Sequence, residues 1–137
     1  MQFDRTWSGA PWESQVGYCR AVRAGNLIYV TGTTATTEEG IVFAPEDAYQ
    51  QTKRCFEIID QALQSLGANL SNVVRTRMYV TDINRWQEFG QAHREIFIDH
   101  PPATTMVEVQ RLIAPEMLIE IEVDAVVDVN PSDLKNA

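Results

Sequence analysis

Over Pro101 to Val109, and again over Ile119 to Val123, the chain alternates with a period of two, which commits this third of the molecule to a sheet with one buried face. Two strands are predicted, about 103–111 and 118–128. In the second, Ile119, Ile121, Val123, Ala125 and Val127 alternate with Leu118, Glu120, Glu122, Asp124 and Val126. Neighbouring side chains leave a strand on opposite faces, so the aliphatic set packs inward and the carboxylates point away from it. On the preceding strand Thr104, Met106, Glu108 and Gln110 are expected to share the carboxylates' face.

Upstream, Tyr18 to Arg23 and Leu27 to Thr31 flank Gly25-Asn26 and read as a hairpin. Thr33 to Gly40 reads as a polar loop. Pro45 is expected to open a long helix, with Glu46 and Asp47 near the positive end of its dipole. Cys55, Phe56, Ile59, Ala62, Leu63 and Leu66 form its apolar stripe, and Gly67 ends it. A strand over Val73 to Thr81 precedes a second helix, capped by Asp82 or Asn84 and running through Ile98. Trp86, Phe89, His93 and Phe97 mark its apolar side at spacings of three and four, so His93 is best read as a core histidine. Pro101-Pro102 stops it.

The element order is therefore β-β-α-β-α-β-β, an α+β chain with a mixed sheet and both helices on one face. A single domain over 1–137 is expected, with its core at about 14–128 and a tail at 129–137. Nothing in the chain covers the other face. On the 73–81 strand, Val74, Thr76, Met78 and Val80 alternate with Arg75, Arg77 and Tyr79, which makes Arg75 and Arg77 candidate cross-strand partners for Glu120 and Glu122. Such a face can meet water, or form the inner wall of a symmetric oligomer where charges survive burial by pairing.

Charge and composition exclude several functions. The 137 residues carry 19 acids against 11 bases, a net charge of −8, which disfavours phosphate-backbone binding and hence nucleic-acid partners. No apolar run approaches the roughly 20 residues of a membrane span. The N-terminus lacks the basic-then-apolar order of a secretory signal, so a cytoplasmic location is expected. Cys19 and Cys55 stand far apart with no Cys/His pairing, so neither a metal nor a disulfide is indicated.

Several segments together resemble the Rid (reactive intermediate deaminase, YjgF-like) superfamily, over about residues 14 to 128. Gly17-Tyr18 ahead of Gly25-Asn26 is similar to its P-Y-x-Q-x-V-x-x-G-N opening. Ile28-Tyr29-Val30-Thr31-Gly32 resembles its strand ending in S-G-Q. Val73 to Asp82 resembles V-x-x-x-x-V-Y-V-x-D, and Pro102-Ala103-Thr104-Thr105-Met106-Val107-Glu108-Val109 ahead of Ile119-Glu120-Ile121-Glu122 resembles P-A-R-S-x-V-E-V ahead of I-E-I-E-A. Tyr18, Gly32 and Glu120 match residue by residue. Thr104 stands where the deaminating members carry an arginine, Thr31 and Thr33 replace Ser and Gln, and Gly90 falls where an asparagine is usual.

The resemblance implies a chorismate-mutase-like fold and a homotrimer with small-molecule clefts between subunits. It implies a cofactor-independent hydrolysis of 2-imino or enamine acids to a keto acid and ammonia. Glu120 would position water, while Tyr18, Thr31, Gly32, Thr104 and Met106 would shape the pocket. The missing arginine argues against the standard deaminase activity, because one neutral hydroxyl donor does not replace a guanidinium fork on a carboxylate. A non-catalytic metabolite-binding module is the alternative, and the ribonuclease activity attached to the superfamily is disfavoured by charge. Arg77 or Arg111 could stand in for the arginine, although a solvated role suits Arg111 better. Glu120 could instead be a rung paired with Arg77, and Tyr18 an ordinary strand aromatic. Trp7 and Trp12 could cap the core or line a subunit boundary.

Overall fold

A computed structural model describes residues 2–128; the expected tail at 129–137 lies outside the described residues. Six strands form one mixed sheet: β1 (Phe3–Thr6), β2 (Ala21–Ala24), β3 (Leu27–Thr34), β4 (Val73–Val80), β5 (Ala103–Glu108) and β6 (Ile119–Val126), in the order β1-β2-β3-β6-β4-β5. All neighbours are antiparallel except β4 and β5. Helices α2 (Ala48–Ser65) and α3 (Trp86–Phe97) pack on each other over one face of this sheet. The α+β architecture with two helices on one face is thus as expected, with two additions before residue 17. These are strand β1 and the short helix α1 (Pro11–Val16).

The core follows the expected stripes. Cys55, Phe56, Ile59, Ala62, Leu63 and Leu66 of α2 and its C-terminus are buried against Ile119, Ile121, Val123 and Ala125 of β6. Phe56, His93 and Phe97 stack edge-on or tilted at centroid distances of 5.8, 5.1 and 4.7 Å. Burial lowers the pKa of His93, and its Nε2 lies 2.9 Å from the hydroxyl of Thr76. It is a half-buried histidine packed on the core.

Local expectations failed at three places. The long helix begins at Ala48, not Pro45, because Ala44 and Glu46 hold positive φ angles of 45° and 74° that no helix accepts. Asp47 caps it instead, its side chain accepting from the Gln50 N–H at 3.0 Å. Strand β3 continues through Thr34 into the stretch expected to be loop. A register shift between Val73 and Arg75 puts Val73, not Val74, in the core, and Val74 is exposed.

The edge strand β5 faces the opposite way from the sequence reading. It runs parallel to β4 with Thr104 beside Thr76 and Met106 beside Met78, both of which point at the helices. The Thr76 and Thr104 hydroxyls are 2.6 Å apart, Met106 packs on the core, and Glu108 accepts from the Ile83 N–H. Thr104, Met106 and Glu108 therefore lie on the helix side, and Val107 points out from the bare face, 42 % exposed. Phe3, Leu27 and Tyr29 are exposed as well, and their cross-strand pairing puts them on that same face.

Candidate functional site

Strands β3 and β6 pair in register from Leu27↔Val126 to Val30↔Val123, slip, and resume at Thr33↔Ile121. The slip is a bulge spanning Thr31 and Gly32, the kind of local bend that re-aims side chains beside a site. Gly32 lies against Glu120. A Cβ built on Gly32 would come within 3.1 Å of the Glu120 Cδ and Oε1, so a side chain there would crowd that carboxylate.

A buried scaffold holds the bulge in shape. Arg20 donates to the Gly32 carbonyl at 3.2 Å and to the Thr33 hydroxyl at 3.0 Å, and its Nε is 3.4 Å from Glu13. Glu13 also accepts from the Ser8 backbone and hydroxyl. Breaking such a buried pair by removing one partner costs about 3–5 kcal/mol, because the remaining charge is stranded. Thr31 donates its hydroxyl to the Cys19 carbonyl at 2.8 Å, which ties the bulge to the segment carrying Tyr18. The Arg20 guanidinium sits 5.8 Å from the centre of the Tyr18 ring.

On the bare face the side chains of β4 reach diagonally, one rung along from their register partners. Arg77 sits opposite Glu122 but pairs with Asp124 at 3.2 Å, and Tyr79 sits opposite Glu120 but donates its hydroxyl to Glu122. The expected Arg77–Glu120 rung is therefore not made, and Arg75 makes no ion pair among the described residues. This leaves Glu120 without a hydrogen-bond donor among the described residues. Burial raises its pKa above the ordinary carboxylate value, Glu122 raises it further, and Arg20 opposes them.

Around Glu120 lies an open cleft of about 490 Å³, bordered by Tyr18, Thr31, Gly32, Tyr79, Glu122 and the β5–β6 connection at Val109, Arg111 and Leu112. Four of the expected site residues, Tyr18, Thr31, Gly32 and Glu120, meet there. Thr104 and Met106 do not border the cleft in the same chain, since they face the helices. Arg111, read from sequence as better suited to solvent, does border it. Trp7 and Trp12 are 62 % and 45 % exposed, so neither caps the core. Among the described residues no three His, Cys, Asp or Glu side chains gather as a metal site. No described helix is long and apolar enough to cross a membrane.

The family model described as endoribonuclease L-PSP matches residues 9–127. The chain belongs to this family, the YjgF/Rid superfamily. Among solved structures it is similar to a member of the YjgF/YER057c/UK114 family from Mycobacterium tuberculosis. That match has 47% sequence identity and a TM-score of 0.84, covering 92% of this chain and 100% of the other. It is 36% identical to an uncharacterized protein of Streptomyces coelicolor over 88% of this chain and 90% of that one. It is 32% identical to the 3-aminoacrylate deaminase RutC of Acinetobacter baylyi, over 76% of this chain and 82% of that one.

Proposed function

We propose that this protein hydrolyses a small imine or enamine in the cleft around Glu120, without metal or cofactor. The observation that carries the reading is Glu120 itself: a carboxylate with a raised pKa, half-buried at a small-molecule-sized cleft, with a glycine making room beside it. The relationship to a 3-aminoacrylate deaminase supports the same chemistry.

In that reaction an enamine first takes a proton on carbon and gives one up from nitrogen to become the imine. The imine carbon is already electrophilic, so a positioned water is sufficient. Ionised Glu120 accepts a proton from this water as its oxygen bonds to the carbon, and the C=N electron pair moves to nitrogen, which gains a proton. The carbinolamine then breaks its C–N bond as its hydroxyl proton passes to nitrogen, releasing ammonia and leaving a carbonyl product. Tyr18 and Thr31 would border the substrate, and burial makes ionised Glu120 a stronger base than a solvated carboxylate.

A homotrimer with clefts between subunits belongs to the same proposal. The exposed Phe3, Leu27, Tyr29 and Val107 on the bare sheet face support it, since a neighbouring subunit would cover them. Thr104 and Met106 would then reach a ligand only from the β5 edge of an adjacent subunit. A net charge of −8 disfavours a ribonuclease reading.

The test is to generate an imino acid in situ with an amino-acid oxidase and follow keto acid and ammonia. Acceleration by the purified protein is expected. If release proceeds at the uncatalysed rate while the cleft still binds keto acids, the protein is a binding module instead. Thr104→Arg, run alongside, reports whether that position reaches the cleft.

A further inference from the structure

Arg111 borders the cleft from the β5–β6 connection, and the backbone on either side of it is held by hydrogen bonds. The Val109 N–H donates to the Val80 carbonyl at 2.8 Å, which carries the β4–β5 ladder beyond Glu108 to within two residues of Arg111. Beyond it, buried Gln51 donates to the Glu116 carbonyl and accepts from the Leu118 N–H, both at 2.9 Å. The connection therefore returns to β6 along a defined path.

Among the described residues Arg111 makes no ion pair, although it shares the cleft with two carboxylates. Glu122 is engaged by Tyr79, and Glu120 sits beside Gly32. A guanidinium stays charged at all working pH values and offers a planar fork that fits a carboxylate or phosphate through two hydrogen bonds. With Glu120 and Glu122 in the same cleft, a dianion meets repulsion. A monoanionic carboxylate with an N–H group at its other end meets less, because its polar N–H end faces the carboxylates.

We infer that Arg111 is the specificity-determining residue of this cleft, binding the carboxylate of a small ligand whose nitrogen-bearing carbon lies toward Glu120. The inference rests on the proposed reading of the cleft. It also resolves the difficulty raised by Thr104, since the anion would be held from the β5–β6 connection rather than from the start of β5.

Titration of the full chain with 2-oxobutanoate, its neutral amide and inorganic phosphate, followed by amide chemical shifts of Tyr18, Gly32 and Glu120, tests this. The acid is expected to bind more tightly than the amide or phosphate. Arg111→Gln is expected to weaken the acid about tenfold to a hundredfold, as the loss of a charged bidentate contact implies. The amide should be unaffected by Arg111→Gln, and Arg111→Lys should fall between. Unchanged acid affinity in Arg111→Gln, with Tyr18 and Gly32 still responding, would overturn the role of Arg111 and leave the cleft standing. Preferential phosphate binding would overturn the choice of carboxylate. If neither acid nor amide perturbs these residues, the reading of the cleft fails and the inference falls with it.

Discussion

Gly32 and Glu120 are in such close apposition that a single added carbon on the glycine would lie 3.1 Å from the carboxylate. Gly32 does not hold a positive φ, so its role is space rather than backbone freedom. Gly32→Ala is accordingly expected to fold, at a cost of about 1–3 kcal/mol from crowding, and to displace Glu120. The rate of imine hydrolysis should fall at least about tenfold, as misplacing a catalytic group does. Thermal melts and initial rates on the same sample check both.

Burial of Glu120 also links stability to pH. Its folded-state pKa is raised, so below the ordinary carboxylate value it is protonated in both states and costs nothing. As pH climbs past that value the unfolded chain ionises first, and stability is lost until the folded-state pKa is passed. Glu120→Gln removes this cost. Its melting temperature should match the wild type near pH ~4 and exceed it at neutral pH. Melting curves at a series of pH values decide the matter, and a wild type favoured at neutral pH would mean that Glu120 has a stabilising partner.

Gln51 is fully buried and bonds three backbone groups, Ala44, Glu116 and Leu118. Replacing it with Leu keeps the volume roughly but strands those groups. The expected cost is about 2 kcal/mol or more, at roughly 1–3 kcal/mol for each unsatisfied buried group. Because the same bonds set the path of the β5–β6 connection, ligand affinity should drop as well. Urea titration and ligand titration of Gln51→Leu measure the two effects.

The thiols should differ sharply. Cys55 is fully buried and its pKa is pushed up by burial and by Glu120, whereas Cys19 is part-exposed. A thiol-reactive disulfide reagent is expected to modify Cys19 alone in the native protein and both thiols in denaturant. Equal rates in the native protein would contradict the packing of α2.

Much of this was legible in the sequence where one face is apolar and the other is not. The alternation of β6 placed Ile119, Ile121, Val123 and Ala125 inside without ambiguity, and the α2 stripe did the same for Cys55 and Ile59. Strand β5 offers no such contrast across Ala103 to Glu108, so its parity is set by its parallel register with β4, which is a tertiary fact. The diagonal Arg77–Asp124 and Tyr79–Glu122 contacts were equally invisible, because register says which residues oppose and not how long side chains lean. The bulge at Thr31 and Gly32 could be suspected from a glycine inside a strand pattern. Arg111 carried only a weak signal, as a charged residue at a strand end.

Hydrolysis in this cleft depends most directly on Glu120. With imino acid generated in situ, initial rates of ammonia release should fall about a hundredfold or more in Glu120→Gln, as for loss of a general base. Amide shifts would show that the variant is folded and still binds 2-oxobutanoate. A folded Glu120→Gln that hydrolyses the imine as fast as the wild type would contradict the account.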